Sequence, residues 1–582
     1  MKRTGKVLAI LLALAMLLSV TALAADKTTA WPIYGGDANH SSVVTGAPTT
    51  ASTTALNSYI DLSNGGRGWD GIDNVPVMET VGTGDDAVTY AYVLYDGYSS
   101  YGGQLAKINC SADTPYVVWH KQVSGASGFQ LSTPYLDTTN HAIYIGASNA
   151  SVYNDVAISS PVALTANTAG TVTINGLTLL TAANRVSVPV YVGHTSVADR
   201  GTITTEGTAT IQLGSNADKA VNLTLSTTQS SSGTIYKIYE QETYDATGTV
   251  NGYDYYYYIN HSVSADTTET ENVTLSISVT LNGEGCKIES VSMFANKGAV
   301  TKITGIDSTD ASGLTLTSVV SSVNGQINTP IMRYDNYIYF GTWSGNSQMQ
   351  YYQVDISDED YTTATYTGNA GFYWAGAVKL GEYVYFGGDS GNLYYQPVDD
   401  FGSNTTVVAL TAEASDAGNV RSSVMTDGTY LYFTSQGKYL WCYKPDSTGK
   451  PVHQWHVQLA GTSTSTPTLV KDSDGTTRIY TGFYSGFNAG GVQVTTYASG
   501  VTPTNSSVTT VVSGFPVQCS ILYSDGYIYF NTNSNKGAGY CYSTAGVKMW
   551  GTAEDTYALG GMACANGIIV FGNDYDRLYV VK

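Results

Sequence analysis

Nine side chains stand out in this sequence as candidates to hold a ligand: Arg67, Trp69, Asn74, Asn328, Trp343, Trp374, Asp389, Arg421 and Gln518. Tryptophan and arginine dominate measured binding energies, and Asn, Asp and Gln fix orientation through hydrogen bonds. They do not form a contiguous motif, so any shared site must be assembled by the fold. Other chemistry is poorly served. The seven histidines lie in different segments except His453 and His456, whose odd spacing on a presumed strand puts them on opposite faces. No nucleophile elbow, phosphate-binding glycine loop or HExxH helix motif occurs. Asp472-Ser473-Asp474-Gly475 has the look of a calcium loop but lacks the remaining ligands and reads as a hairpin turn, and Asp355 to Asp360 reads as a solvated connection. No catalytic residue, metal ligand or cofactor site is assigned.

Six cysteines (Cys110, Cys286, Cys442, Cys519, Cys541, Cys564) carry no CxxC and no adjacent pair, which argues against zinc and covalent haem. Cys519, Cys541 and Cys564 are near enough in sequence for disulfides, and small buried thiols are the equal alternative.

The elements that position the nine residues emerge from a repeat. Tyr337-Ile338-Tyr339-Phe340-Gly341 recurs as Tyr383 to Gly387, Tyr430 to Thr434 and Tyr527 to Asn531, with weaker copies at Ala142 to Gly146, Arg478 to Gly482 and Ile568 to Gly572. From residue 340 onward the step is 41 to 49 residues, the length of a four-stranded propeller blade. Turns such as Asp335-Asn336, Asp427-Gly428 and Asp525-Gly526 precede the copies and predict hairpins. Before each turn a short strand opens on a small residue or proline: Pro76, Pro134, Pro330, Gly376, Ser423, Pro467, Ser520 and Gly561. Strands around a central axis are crowded, which explains the small residues. The count predicts an all-β, eight-bladed β-propeller, or seven blades if the first copy near Tyr90 is discounted. The last blade has room for three strands, so residues 55–62 are expected to supply its outer strand and close the ring.

The step from 145 to 340 is 195 residues, so about 149 residues are inserted. Runs such as Val273 to Val279 predict a β-sandwich-like insert. Gly298 to Ile303 resembles Gly103 to Ile108, a third strand, which sets the insert between second and third strands; a competing alignment of Ser151-Val152-Tyr153 with Asn392-Leu393-Tyr394 would move it to the opposite face, and the first is preferred. The predicted layout is 25–149 as the first part of the propeller, 150–297 as the insert and 298–582 as the remainder. Residues 1–24 read as a signal peptide: Lys2 and Arg3, an apolar run from Val7 to Val20, and small residues ahead of a cleavage after Ala24. The expected location is therefore secreted or envelope-associated, with no membrane insertion after cleavage. A net charge of −20 argues against nucleic acid.

Trp31-Pro32-Ile33-Tyr34-Gly35-Gly36-Asp37-Ala38-Asn39-His40, Ser132-Thr133-Pro134 with Ile143 to Gly146, and Leu440 to Lys450 followed by Trp455 resemble the opening and repeats of pyrroloquinoline-quinone-like propeller proteins. The resemblance covers most of the chain outside the insert. It implies the fold, and it implies that Trp119, Trp455 and Trp550 dock neighbouring blades. For function it points two ways, because the repeat serves both non-enzymatic scaffolds and quinone dehydrogenases. The dehydrogenases use an adjacent-cysteine disulfide, a calcium ion and a catalytic Asp. Here no cysteines are adjacent and no Asp is marked by motif. The leading expectation is a secreted, non-enzymatic binding or scaffold propeller that engages an extracellular glycan or protein through the propeller mouth, where inner strands begin. The alternative is a quinone- and calcium-dependent oxidoreductase acting on alcohols or sugars. The Tyr253 to Tyr258 run in the insert is a second candidate for stacking sugars, unless its alternate residues simply fill the core.

Overall fold

A computed structural model describes residues 27–62, 71–95, 103–123, 131–148, 151–152, 161–177, 184–203, 205–214, 220–226, 234–244, 250–263, 273–295, 297–344, 348–403 and 406–582. The expected signal peptide and cleavage site, Arg67 and Trp69 lie outside these residues. Among the described residues no helix is long and apolar enough to cross a membrane.

The chain folds as a β-propeller. Blade 1 is Val77–Val81, Val88–Tyr95, Gln104–Asn109 and Tyr116–Gln122. Blade 2 is Tyr135–Asp137, Ala142–Ala147, Lys297–Thr304 and Thr315–Asn324. Blade 3 is Met332–Tyr334, Tyr337–Trp343, Gln350–Asp355 and Thr363–Thr367. Blade 4 is Val378–Leu380, Tyr383–Gly388, Asn392–Pro397 and Val407–Ala409. Blade 5 is Met425–Thr426, Leu431–Ser435, Tyr439–Pro445 and Pro451–Gln458. Blade 6 is Thr468–Lys471, Thr477–Ser485, Ala489–Tyr497 and Val508–Ser513. Blade 7 is Leu522–Ser524, Tyr527–Asn531, Gly539–Ser543 and Lys548–Gly551. Blade 8 is Ala563–Ala565, Ile568–Gly572 and Arg577–Val581, and Ile60–Asp61 pairs with it as the outer strand, Ile60 opposite Leu578. Within residues 55–62, Ala55 and Leu56 are not strand but belong to a short helical turn, Thr53–Leu56, capped by Ser52.

Apolar clusters link each blade to the next and the last to the first: blades 1 and 2, blades 2 to 4, blades 4 and 5, blades 5 and 6, blades 6 and 7, and finally blades 7, 8 and 1. Second strands are buried on both faces between neighbours, which is why Ile338, Tyr339 and Phe340 are consecutive and all buried rather than alternating. The recurrent glycine near the end of the second strand has a steric reason. A Cβ on Gly341, Gly387, Gly482 or Gly572 would come within 2.6, 2.2, 2.7 or 2.3 Å of Phe372, Val420, Val517 or Ile72, the segment approaching the following blade. Those segments carry Trp374, Arg421, Gln518 and Asn74, so the glycine repeat is what lets the mouth residues approach the axis.

Between the second and third strands of blade 2 lie two further sheets that share one apolar core. One contains Asn184–Ser196, Thr234–Tyr244 and Val250–Val263; the other is Gly170–Leu177, Val273–Leu281, Gly207–Leu213 and Val221–Leu225. Val273, Leu275, Ile277, Val279 and Leu281 are buried while the residues between them are half-exposed, the period of two of a sandwich strand. Tyr253, Tyr255 and Tyr257 point into this core, and Tyr256 lies on the outer face against Tyr191, ring centroids 5.4 Å apart.

Residues 28–47 cross the end of the channel opposite the mouth, against the hairpin-turn ends of the inner strands. Thr28 O accepts from Asn566 N of blade 8, and Ala30 pairs with Glu79 of blade 1. Pro32 O accepts from Leu136 N of blade 2, Ala38 O from Tyr334 Oη of blade 3, and Asn39 O from Thr426 N of blade 5. Tyr34 Oη bonds Thr466 Oγ1 of blade 6, and Val43 pairs in parallel with Tyr523 of blade 7. The chain therefore plugs its own channel from below.

One sequence expectation fails for a local reason. His453 and His456 share a face. Trp455 pairs with Cys442 and His453 with Tyr443, so Gln454 is an extra residue in the strand. A β-bulge of this kind breaks the period of two.

The docking tryptophans do pack between sectors. Trp119 Nε1 donates to Ser308 O of the blade 2 region at 3.1 Å, Trp455 meets Tyr497 of blade 6 edge-on, and Trp550 Nε1 donates to Pro48 O at 2.9 Å. All six cysteines are buried and unpaired.

Candidate ligand site at the propeller mouth

Of the seven described candidates, four meet at the mouth across blades 3, 4 and 5. Asp389 sits in the turn that joins the second and third strands of blade 4, where Ser390 and Gly391 both take positive φ, 74° and 71°. Asp389 N donates to Gly371 O at 3.0 Å, tying this turn to the segment that carries Tyr373 and Trp374. Arg421, on the approach to blade 5, donates Nε to Asp389 Oδ1 at 2.8 Å and Nη2 to Oδ2 at 2.7 Å. This is a bidentate fork, the geometry only arginine supplies. Trp343 Nε1, from blade 3, donates to Asp389 Oδ2 at 3.2 Å.

Tyr373 joins the four. The Arg421 guanidinium lies over its ring, 4.5 Å from the centroid, and Trp343 meets the same ring edge-on at 5.2 Å. Trp374 follows, its ring 6.0 Å from that of Tyr373. Tyr373 was not among the residues singled out by sequence, although its signal was there: it is the neighbour of Trp374 in the same inner-strand approach.

Burial acts against the Arg421 charge, but the hydrogen bonds and charge of Asp389 outweigh it and raise the guanidinium pKa further, so the cation is permanent. Burial raises the Tyr373 phenol, against the opposing pull of Arg421, so this ring is a neutral hydroxyl donor at any physiological pH. The charge of Arg421 is balanced by Asp389. The cluster thus offers aromatic faces and N–H and O–H donors, with little net charge.

Trp374 has φ +62°. A bulky residue in the left-handed region is strained, on the order of 1–3 kcal/mol. Its N donates to Asn328 O at 3.3 Å and its O accepts from Ser423 Oγ at 3.2 Å, so blades 3 and 5 hold the strained residue from either side.

Two of the other three candidates, Asn74 and Asn328, serve the wall, and Gln518 contacts it through its backbone. Asn74 is buried, with Nδ2 donating to Leu94 O at 2.8 Å. Asn328 is buried, with Oδ1 accepting from Ser148 Oγ at 3.3 Å. Gln518 is half-buried and its backbone O accepts from Thr464 Oγ1 at 3.1 Å. The small inner residues have a comparable role. Val75 N bonds Thr133 Oγ1, Gly376 N bonds Ser423 Oγ, Ser423 N bonds Thr466 Oγ1 and Ser520 Oγ bonds Thr466 O, each a bond from one blade to the next.

Further aromatics rim the same end. Phe487, in the turn between the second and third strands of blade 6, is 57% exposed and reaches over blade 7 to meet Tyr557 of the blade 8 approach at 5.7 Å. A single exposed Phe is unremarkable, but a pair held edge-on beside a mouth extends the contact surface. The insert leaves blade 2 at this end too, from the same strand junction that bears Trp343 in blade 3 and Asp389 in blade 4.

No protein-family model and no curated protein matches the chain. Among solved structures it is similar to the WD40 β-propeller domain of Doa1, at 12% identity over 44% of this chain and 93% of that one, with a TM-score of 0.28. At that score the likeness adds nothing to the blade pairings described above.

Proposed function

We propose that this protein is an exported, non-enzymatic binding or scaffold propeller that holds a glycan or protein partner at its mouth. The observation that carries the reading is the Trp343–Tyr373–Trp374 cluster braced by the Asp389–Arg421 pair. Rigid aromatic faces beside pre-oriented donors are the composition of binding hot spots. Held strain at Trp374 fits the same purpose, since strained residues concentrate at ligand sites. A neutral polyhydroxyl ligand suits the cluster best: sugar C–H faces lie on aromatic rings, hydroxyls accept from Arg421 and Tyr373, and the net charge of −20 disfavours polyanions. With residues 28–47 across the far end, such a ligand has one way in.

The experiment is a glycan array probed with the mature chain and with Arg421→Lys, followed by calorimetry on any hit. Glycan binding that Arg421→Lys weakens supports the reading; capture of a protein instead, through the same residues, assigns the partner to the protein class. Stoichiometric uptake of pyrroloquinoline quinone with calcium, together with alcohol- or sugar-dependent dye reduction, would replace it with the oxidoreductase alternative.

A further inference from the structure

The bulge at Gln454 creates a second site, far from the mouth in blade 5's outer strand. It brings His453 Nε2 to 3.1 Å from His456 Nδ1. Two imidazole nitrogens bound at about 2.1 Å to one ion and at a right angle would stand about 3 Å apart, so the spacing is already that of a chelate. On the opposite side of the His453 ring, Nδ1 faces Glu413 Oε2 at 3.4 Å. A carboxylate there favours the tautomer with the proton on Nδ1 and the lone pair on Nε2, the outer arrangement that protein-bound metals ordinarily use.

The rings have a fixed floor. His456 packs on Trp441 at 4.8 Å and edge-on to Tyr439 at 5.3 Å, and His453 lies against Tyr443 at 5.3 Å. Tyr443 adds a buried polar group beside the His453 ring. It is 1% exposed, and its Oη has no hydrogen-bond partner among the described residues. The His453 side chain is 22% exposed, enough to admit an ion and its waters.

We propose that His453 and His456 chelate a first-row divalent transition ion of the Zn²⁺, Ni²⁺ or Cu²⁺ type, with Glu413 orienting His453 and water completing the coordination. Imidazole donors select these ions, whereas calcium and magnesium demand oxygen. On binding, the proton shared between the two facing nitrogens gives way to the ion, and His456 carries its proton on Nε2. Among the described residues no group of three or more His, Cys, Asp or Glu has metal-holding geometry, so this is an open two-nitrogen site with positions left for solvent or a partner's donor.

The test uses the full mature chain without a histidine tag. Calorimetry with ZnCl₂ at neutral pH is expected to show one ion per chain, and Cu²⁺ electron paramagnetic resonance to show two equivalent nitrogens. Glu413→Gln should weaken zinc about tenfold or more, and His453→Gln with His456→Gln should abolish the stoichiometric site while leaving the far-ultraviolet spectrum unchanged. Absence of stoichiometric uptake, uptake indifferent to the double variant, or a copper spectrum without two nitrogens would each overturn the proposal. The copper spectrum is read on the unaltered chain, so it decides the matter even if the variants fold poorly. Displacement of zinc by excess calcium would equally refute it.

Discussion

Asp389 and Arg421 hold each other through two parallel hydrogen bonds of 2.8 and 2.7 Å across the boundary between blades 4 and 5. Their side chains are 10% and 22% exposed, so the pair is shielded from solvent but open on one side. Removing one partner leaves a half-buried charge uncompensated, which costs more than the pair itself contributes.

Asp389→Asn is therefore expected to destabilise the chain by about 2 kcal/mol, and Arg421→Lys by less, since lysine keeps the charge but cannot fork. Both should weaken ligand binding at the mouth. Urea unfolding followed by tryptophan fluorescence ranks the two variants, and a larger loss for Arg421→Lys than for Asp389→Asn would contradict this account of the pair.

Trp374 at φ +62° makes a sharper prediction, because the backbone and the side chain pull in opposite directions. Trp374→Gly and Trp374→Ala remove the same ring, yet only glycine adopts this φ freely. The glycine variant should be the more stable of the two by about 1 kcal/mol, while both lose binding. Equal unfolding midpoints would mean that the residue is not strained.

His40 links the plug to pH. Its ring lies buried beneath the axis, Nδ1 2.7 Å from Val424 O and Nε2 3.3 Å from Met332 Sδ. Burial holds its pKa down to about 4 from the ordinary 6.5, only partly opposed by Val424 O and Asp37. Above pH 6.5 the imidazole is neutral in both folded and unfolded chains and contributes no pH dependence. Between 6.5 and 4 the unfolded chain takes up a proton that the folded one refuses, so stability falls as pH falls. By pH 4 the loss approaches about 3 kcal/mol. His40→Asn should lower stability at neutral pH yet flatten the slope between pH 7 and 4.5, measured as urea midpoints. A slope unchanged from the parent chain would show that the ring does not titrate as its burial requires.

What could be read from the sequence and what could not divides along physical lines. The hairpin repeat was legible because most blades reuse an aromatic second strand after a tight turn, and four of them place a glycine where the next blade presses within 2.2 to 2.7 Å of its missing Cβ. Trp343, Trp374, Asp389 and Arg421 could be found because blade equivalence alone gathers them. Asn74 and Asn328 occupy equivalent positions but turn into the wall, where Leu94 O and Ser148 satisfy them, and residue type does not reveal that choice. The plug was hidden because several of its contacts run through backbone carbonyls of Thr28, Pro32, Ala38 and Asn39, which any sequence possesses. The histidine pair was misjudged because one extra residue, Gln454, shifts the phase of a strand without leaving a mark in composition.

Trp550 tests whether mouth and framework are separate. It is 4% exposed, packs 5.9 Å from Tyr529 in the cluster shared by blades 7, 8 and 1, and ties residues 43–48 to blade 7 through its bond to Pro48 O. Truncation to alanine removes a large buried ring and leaves a carbonyl without its donor, so a loss of about 3 kcal/mol is expected. Because the same segment continues into the outer strand that closes blade 8, the transition should also broaden as ring closure loosens. Trp374→Gly, by contrast, should melt close to the parent chain while losing its ligand. Differential scanning calorimetry of the two variants side by side distinguishes the roles: comparable drops in both would mean that Trp374 is a packing residue like Trp550, and that the mouth cluster is part of the framework rather than a surface kept ready for a partner.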